Sequence, residues 1–345
     1  METKSENKPS LKRSLIGANA FQRVLAFAAL FLLFGVFSMG SFFPNILSPY
    51  FFTPDNIVGI LLATAVNGVL ALGATFVIIT GGIDLSVGTV MTFSAVVTGL
   101  LIGDDVNIFT GLHLPVIVGV LGGLSAGALC GLVNGLMIAK MKIPPFIATL
   151  GMMYITKGLS LVLSHLKPIY FNGHPDFRNI AMGPAISFPG FDIPNSVVIM
   201  FGAAIIAGLI LAKTILGRYA VALGSNEEAT RLSGVNVDRW KIAIYSLCGA
   251  FAGLAGVLIA ARLNSAQPAT GTGYELDAIA AVVIGGTSLA GGEGTILGTI
   301  IGAFVKSVLD NGLRVNNIPQ EIQIVITGII VIGAVYLDII RRRRK

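Results

Sequence analysis

The run IVGILLATAVNGVLALGATFVII, residues 57–79, carries no charged side chain and exceeds the ~20 residues a helix needs to cross a hydrocarbon layer ~30 Å thick. Working outward from it, nine more apolar stretches can be drawn: Val24–Phe43, Val87–Ile102, Pro115–Ala139, Phe146–Leu163, Ser196–Ala212, Ile242–Ala261, Leu276–Ala290, Ile296–Leu309 and Ile322–Ile339. Several are short for a full crossing, which is the length expected of upright helices or of broken helices lining a cavity. The composition agrees. Hydrophobic residues make up 54% of the chain and charged residues 12%, about half of what a water-facing surface carries. The 43 glycines suit helices whose backbones approach closely in a bilayer. The expected fold is an all-α polytopic membrane protein of about ten transmembrane helices.

Charge sets the expected orientation. Starting with the N-terminus in the cytoplasm, most of the 23 basic residues fall on the cytoplasmic side: in the tail 1–23, in Lys140–Lys142, in the loop 213–241 and in the run Arg341–Lys345. Only Lys167, Arg178, Arg262 and Arg314 fall outside, and Lys157 and Lys306 sit toward the outer ends of their spans, where they can snorkel. Both termini are therefore expected in the cytoplasm, with residues 24–340 forming one transmembrane domain. The first span follows a basic tail as a signal peptide would, but it is too long and lacks a small-x-small cleavage site, so it reads as an uncleaved helix. The Pro-rich stretch 164–195 reads as the longest external segment and as a docking surface.

Other function classes fall away. Cys130 and Cys248 each lie inside an apolar run, so no disulfide framework is expected, and His113, His165 and His174 are too scattered for a metal site. The net charge of +6 reflects membrane topology rather than nucleic-acid binding. No G-x-x-x-x-G-K-S/T, H-E-x-x-H or G-x-S-x-G string occurs, so neither nucleotide cradling nor hydrolytic chemistry is expected, and no cofactor. Acidic residues are scarce in the spans, with Asp84, Asp277, Glu293 and Asp338 near span ends, which argues against coupling to an ion through a buried carboxylate.

The loop 213–241 is the one sizeable cytoplasmic connection. Within it Ser225 and Glu228 have the spacing of a capping box. Glu227 and Glu228 suit the positive end of a helix, Arg231 the negative end, and Glu227 with Arg231 makes an i,i+4 pair. Gly234 can supply the left-handed stop. These residues write a short, independently capped helix of about two turns outside the bilayer. Asp238 is placed to cap the next span, with Trp240 at the interface. The plain alternative is a surface helix that only connects two spans. So short a helix is marginal in water, and its capping favours a cytoplasmic partner packed on it.

Gly217-Arg218-Tyr219 and the string from Ala222 through Ser225-Asn226-Glu227-Glu228-Ala229-Thr230-Arg231-Leu232-Ser233-Gly234 to Val237 resemble the coupling loop of ATP-binding-cassette importer permeases of the ribose type. Thr80-Gly81-Gly82-Ile83-Asp84-Leu85-Ser86-Val87-Gly88 and the stretch from Gly271 to Gly292 are similar to other strings of that family. The resemblance implies a bacterial inner-membrane importer subunit for a monosaccharide, ribose above all. Its implied partners are a separate ATPase, an external or periplasmic sugar-binding protein and a second permease copy. It also implies that Ser225, Glu227, Glu228, Ala229, Arg231 and Gly234 contact the ATPase.

Two glycine turns, Gly81–Gly82 and Gly285–Gly286 with Thr287, are expected at the inner mouth of the pathway together with Asp84 and Ser86; the plainer reading is tight turning and close helix contact, with Asp84 capping the third span. Thr64, Asn67, Thr75, Asn134, Thr149, Thr156, Thr287 and Ser288 are the polar groups in the spans that a sugar could meet. Serine and threonine there often bond their own helix, and Asn67 and Asn134 serve helix–helix bonding as readily as pore lining. A self-contained secondary carrier and a membrane-embedded enzyme are the competing classes; a buried ion-coupling acid would favour the first and a catalytic constellation the second.

Overall fold

The structure, a computed structural model, describes residues 26, 28–37, 49–104 and 114–343. The tail 1–23, parts of the first expected span and the end of the C-terminal basic run lie outside the described residues. Among the described residues thirteen α-helices can be followed. The apolar α1 is described over Ala28–Phe37. After it come α2 (Pro54–Ile79), α3 (Val87–Ile102), α4 (Val116–Ala139), α5 (Pro145–Leu163), α6 (Pro175–Met182), α7 (Asn195–Lys213), α8 (Ile215–Ser225), α9 (Glu227–Leu232), α10 (Val237–Leu263), α11 (Tyr274–Ile284), α12 (Ile296–Val315) and α13 (Gln320–Arg343). Six of them, α2, α4, α5, α7, α10 and α12, are long and apolar enough to cross a membrane.

Glycine decides how closely the central helices pack. Gly123, Gly127, Gly131 and Gly135 recur every fourth residue along one face of α4 and meet α10 or its neighbour α3 along that face. A methyl group on Gly127 would stand 2.3 Å from the Gly249 carbonyl oxygen, and one on Gly249 would stand 2.2 Å from that of Gly127. Without a hydrophobic force between helices in lipid, such backbone contact is what holds a bundle together. The buried core continues through Phe76, Met91, Met200 and Leu258.

The bundle has two distinct ends. At one, the C-terminus of α2, the helices α8 and α9, the start of α10 and the turn between α11 and α12 come together; Lys140 and Lys142 sit there too, against Asp238 at 3.7 and 2.8 Å. We call it the turn end. At the other, β1 (Ile169–Tyr170) pairs with β4 (Ser265–Ala266), Asp104 accepts from the Gly173 N–H at 3.0 Å, and Asn264 donates to Asn172 at 3.1 Å. The Pro-rich segment there folds into β1, α6 and the exposed hairpin of β2 (Pro184–Phe188) and β3 (Phe191–Pro194).

One expected span is shorter than its apolar run. Leu276–Ala290 forms only the 11-residue α11, which stops at Ile284 before a turn through Gly286 at φ +92°. At 1.5 Å per residue it covers about 16 Å, half a hydrocarbon layer. Between β4 at the far end and α11 the chain runs as irregular turns, and Gly271 lies against Gly88 in the first turn of α3.

Candidate coupling site and glycine turns

Local sequence makes α9. Asn226 is extended, and its Oδ1 accepts from the Ala229 N–H at 2.9 Å, satisfying one of the donors a helix start leaves free. The helix stops at Gly234, whose φ of +83° lets its N–H reach the Arg231 carbonyl at 3.0 Å. Glu227 bridges Arg231 at 3.2 Å and Lys241 at 2.7 Å, which ties the helix to the foot of α10. Thr230 is buried, while Glu228, Ala229 and Arg231 point to solvent. Leu232 is 83% exposed. An apolar side chain so exposed at the tip of a capped helix gains ~1.5–3 kcal/mol when a partner covers it. Sequence reasoning passed over it because one leucine in a leucine-rich chain carries no signal.

Two expected caps are corrected. Ser225 does not cap α9: it is the last residue of α8, its hydroxyl donates to the Val221 carbonyl at 2.8 Å, and Asn226 does the capping. The reason is that α8 runs on until the chain extends at Asn226. Asp238 does not cap α10 either. Asn236 accepts from the Arg239 N–H at 3.0 Å, and Asp238, two residues further on, faces Lys140 and Lys142. Trp240 packs on Tyr219 with ring centres 5.0 Å apart, pinning α8 to α10.

The end of α8 packs against the end of α2 beside Gly81 and against Gly291 and Gly292 of the α11–α12 turn. The Gly292 N–H donates to the Ile79 carbonyl at 2.8 Å, and Gly224, one residue before the end of α8, lies across that bond. A methyl group on Gly224 would stand 1.8 Å from the Ile79 oxygen and 2.4 Å from the Gly292 nitrogen. Gly291 abuts both Gly81 and Gly224, and Gly292 abuts Ser225. Gly81 and Gly82, the α11–α12 turn and Ser225 are therefore brought together. Gly285 lies one helix turn deeper against Gly298, and Thr287 is buried near Gly294.

Asp84 is buried behind Gly82, and its expected role as a helix cap is also corrected. Its Oδ1 accepts from the Ser86 N–H at 2.8 Å and from the Ser86 hydroxyl at 2.6 Å. This is the local loop that aspartate forms with the residue two ahead, and it leaves Ser86, not Asp84, at the start of α3. The Asn134 amide donates to the Ser86 hydroxyl at 2.9 Å, so three of the expected site residues form one buried chain linking the turn to α4. The cleft they line has no room for a water molecule. Asp84→Ala is expected to impair transport several-fold more than Asp84→Asn, because asparagine keeps an acceptor for Ser86 whereas alanine forfeits both hydrogen bonds, each worth ~0.5–1.5 kcal/mol. Initial uptake rates at matched membrane levels check this, and equal losses would refute the positioning role.

The polar groups inside the spans serve helix contacts. Thr64 bonds Ile60, Thr75 bonds Ala71 and lies 2.7 Å from the Thr299 hydroxyl, Thr149 bonds Pro145, and Thr156 bonds Met152 and Thr89. Asn67 is buried on α2, away from the glycine turns, and its Oδ1 has no hydrogen-bond partner among the described residues.

One charged cluster departs from expectation. Lys306 does not snorkel: it is 4% exposed and pairs with Asp277 of α11 at 3.0 Å and with Asp310 one turn on in α12. The i,i+4 spacing of Lys306 and Asp310 is visible in the sequence, but Asp277 reaches them only through the packing of α11 on α12.

Comparison with known proteins follows the same lines. The family described as branched-chain amino acid transport system / permease component matches residues 56–335. The ribose import permease protein RbsC of Escherichia coli (strain K12) is 44% identical over 292 residues, covering 85% of this chain and 88% of that protein. The protein of the same name from Bacillus subtilis (strain 168) is 42% identical over 295 residues, covering 85% and 88%. The L-arabinose transport system permease protein AraH of Escherichia coli (strain K12) is 37% identical over 297 residues, 86% of each. No solved structure matches the chain.

Proposed function

This chain belongs to the ribose-type permease family of ATP-binding-cassette importers, and from that premise we propose that it is the membrane subunit through which a monosaccharide, ribose first, enters a bacterial cell across the cytoplasmic membrane. Ribose is preferred to arabinose because identity to the ribose permeases is higher. The turn end faces the cytoplasm. It carries Lys140, Lys142, Arg231 and Lys241, as a positive-inside distribution requires, and both termini lie on that side. Two permease copies, two copies of a cytoplasmic ATPase and an external sugar-binding protein that docks on the β1–α6–hairpin lobe complete the assembly.

The observation that carries this reading is the joint at Gly224. An exposed helix with Leu232 at its tip offers the ATPase a handle, and the handle is continuous, through α8 and backbone contact, with the ends of α2, α11 and α12. ATP binding closes the ATPase pair and displaces α9. Because the joint is backbone against backbone it cannot yield, so the displacement moves the helix ends as rigid bodies and changes which side of the bundle is open. Glu228, Ala229, Arg231 and Leu232 contact the ATPase; Ser225, Gly81, Gly82, Gly285, Gly286 and Thr287 transmit; and Asp84, Ser86 and Asn134 brace the turn.

Proteoliposomes test it. With the ATPase and the binding protein present, ribose uptake is expected to require ATP and to persist when an uncoupler is added. The permease alone is expected to be idle, and concentrative ribose accumulation by the permease alone would overturn the proposal.

A further inference from the structure

Tyr245 is the largest fully buried side chain among the described residues, at 1% exposure. It stands on α10 one helix turn beyond Lys241, whose ammonium pairs with Glu227 of α9 at 2.7 Å. Its ring spans the gap from α10 to the α2–α3 turn, where a methyl group on Gly82 would stand 2.5 Å from the Tyr245 hydroxyl oxygen. Asp84 lies within electrostatic reach of that hydroxyl, and Cys248, less than one turn further along α10, sits beside the Asp84 carboxyl group. The hydroxyl itself is buried and has no hydrogen-bond partner among the described residues. Buried donors are nearly always partnered, because an unmade bond forfeits hydration with nothing in return. Ser94 and Ser307 also lack a partner, but each sits inside a helix, where a short hydroxyl can turn to the carbonyl one turn back. A phenolic hydroxyl is held at the far end of a rigid ring and cannot reach its own helix. Phenylalanine would fill the same space here without stranding a polar atom, so packing alone does not account for the hydroxyl.

We propose that Tyr245 is a positioning residue of the transport cycle: its hydroxyl, unpartnered in this conformation, donates to the Asp84 carboxyl group in the conformation that ATP binding drives. The inference rests on the importer reading and adds to it a second route from the lever, through α10, beside the one through α8 and Gly224. The helix α9 is joined to α10 by the four residues 233–236 and by the Glu227–Lys241 pair, so displacing α9 shifts the foot of α10. Tyr245, one turn above that pair, moves with it against the turn that carries Gly82 and Asp84. Ser86 holds only Oδ1 of Asp84, at 2.8 and 2.6 Å, so the carboxyl group has a second oxygen to offer. Gly82 has no side chain to stand in the way, whereas any other residue there would meet the hydroxyl first. A hydrogen bond made in one conformation and missing in the other favours the first, which is the differential contact a two-state element requires. Because the bond is open in this conformation, it does not lock the turn and leaves it free to return after each cycle.

The experiment places Tyr245→Phe in the complete transporter in proteoliposomes. Maximal ATP-driven ribose uptake is expected to fall severalfold while the KM for ribose stays the same, since the bond belongs to the driven conformation and not to sugar binding. The nucleotide-free complex in detergent is expected to melt at the same temperature as the unmodified one or higher, because the substitution removes only an unpartnered hydroxyl from it. A hydroxyl that holds this conformation together would instead lower the melting temperature when removed. In an Asp84→Ala background the acceptor is gone, so adding Tyr245→Phe is expected to cause little further loss of uptake. Should Asp84→Ala leave too little uptake to compare, the uptake and melting of Tyr245→Phe decide by themselves. Normal uptake by Tyr245→Phe, a lowered melting temperature, or an equal fold loss in both backgrounds overturns the inference. If the unmodified transporter moves ribose on ATP, those results leave the importer reading intact; if it moves none, the importer reading fails on its own.

Discussion

Gly224→Val is expected to bring ATP-driven ribose uptake to background while the protein still reaches the membrane in normal amounts. The new Cβ would fall 1.8 Å from the Ile79 carbonyl oxygen and 2.4 Å from the Gly292 nitrogen, and both neighbours are backbone, so neither can swing aside. Overpacking of this kind costs ~1–3 kcal/mol, which a large bundle tolerates. The joint does not tolerate it, because relief comes only by parting α8 from the α2 terminus and breaking the Gly292–Ile79 bond. ATPase activity in the complex should then persist without responding to sugar-loaded binding protein. Gly208→Val makes the same change where nothing lies within 4 Å and should transport nearly normally. Uptake by Gly224→Val at the level of Gly208→Val would show that the joint transmits nothing.

The double substitution Glu228→Arg with Gly234→Pro acts at the other end of the lever and is expected to abolish uptake by a different route. Gly234 sits at φ +83°, and proline is confined near −65°, so the stop that ends α9 cannot form. Arginine at Glu228 puts positive charge on the positive end of the helix and removes an acid from the exposed face. For a helix of six residues, loss of a cap and reversal of a terminal charge, each ~0.5–2 kcal/mol, suffice to melt it. Membrane insertion does not depend on this segment and should be unchanged. The ATPase should no longer co-purify from detergent, which separates this failure from that of Gly224→Val, where the handle is intact. Normal co-purification together with normal uptake would defeat the assignment of α9 as the ATPase contact.

What the sequence makes legible follows the range of the interactions involved. The start of α3 at Val87, the end of α2 at Ile79 and the breadth of α4, α5 and α7 follow from apolar run lengths, which each segment carries by itself. The helix α9 was legible for the same reason, since Arg231 lies four residues from Glu227 and three from Gly234. Its capping residue was not, because Ser225 and Asn226 are both good caps and the choice depends on where α8 ends. Asp84 misled in the same way: its partner is two residues away, but the carboxylate folds back on Ser86 instead of capping α3.

Sequence by itself determined that this chain crosses a membrane repeatedly, carries a short capped helix between two of its apolar helices and belongs with importer permeases, since these are written in hydropathy, local capping and contiguous strings. Only the tertiary structure decided that α11 is half a span, that Gly224 seats between Ile79 and Gly292, and that Asp277, Lys306 and Asp310 share one cluster. Those contacts join residues tens to hundreds of positions apart, and no local free-energy preference encodes which distant backbone a glycine will touch or which buried charge a lysine will find.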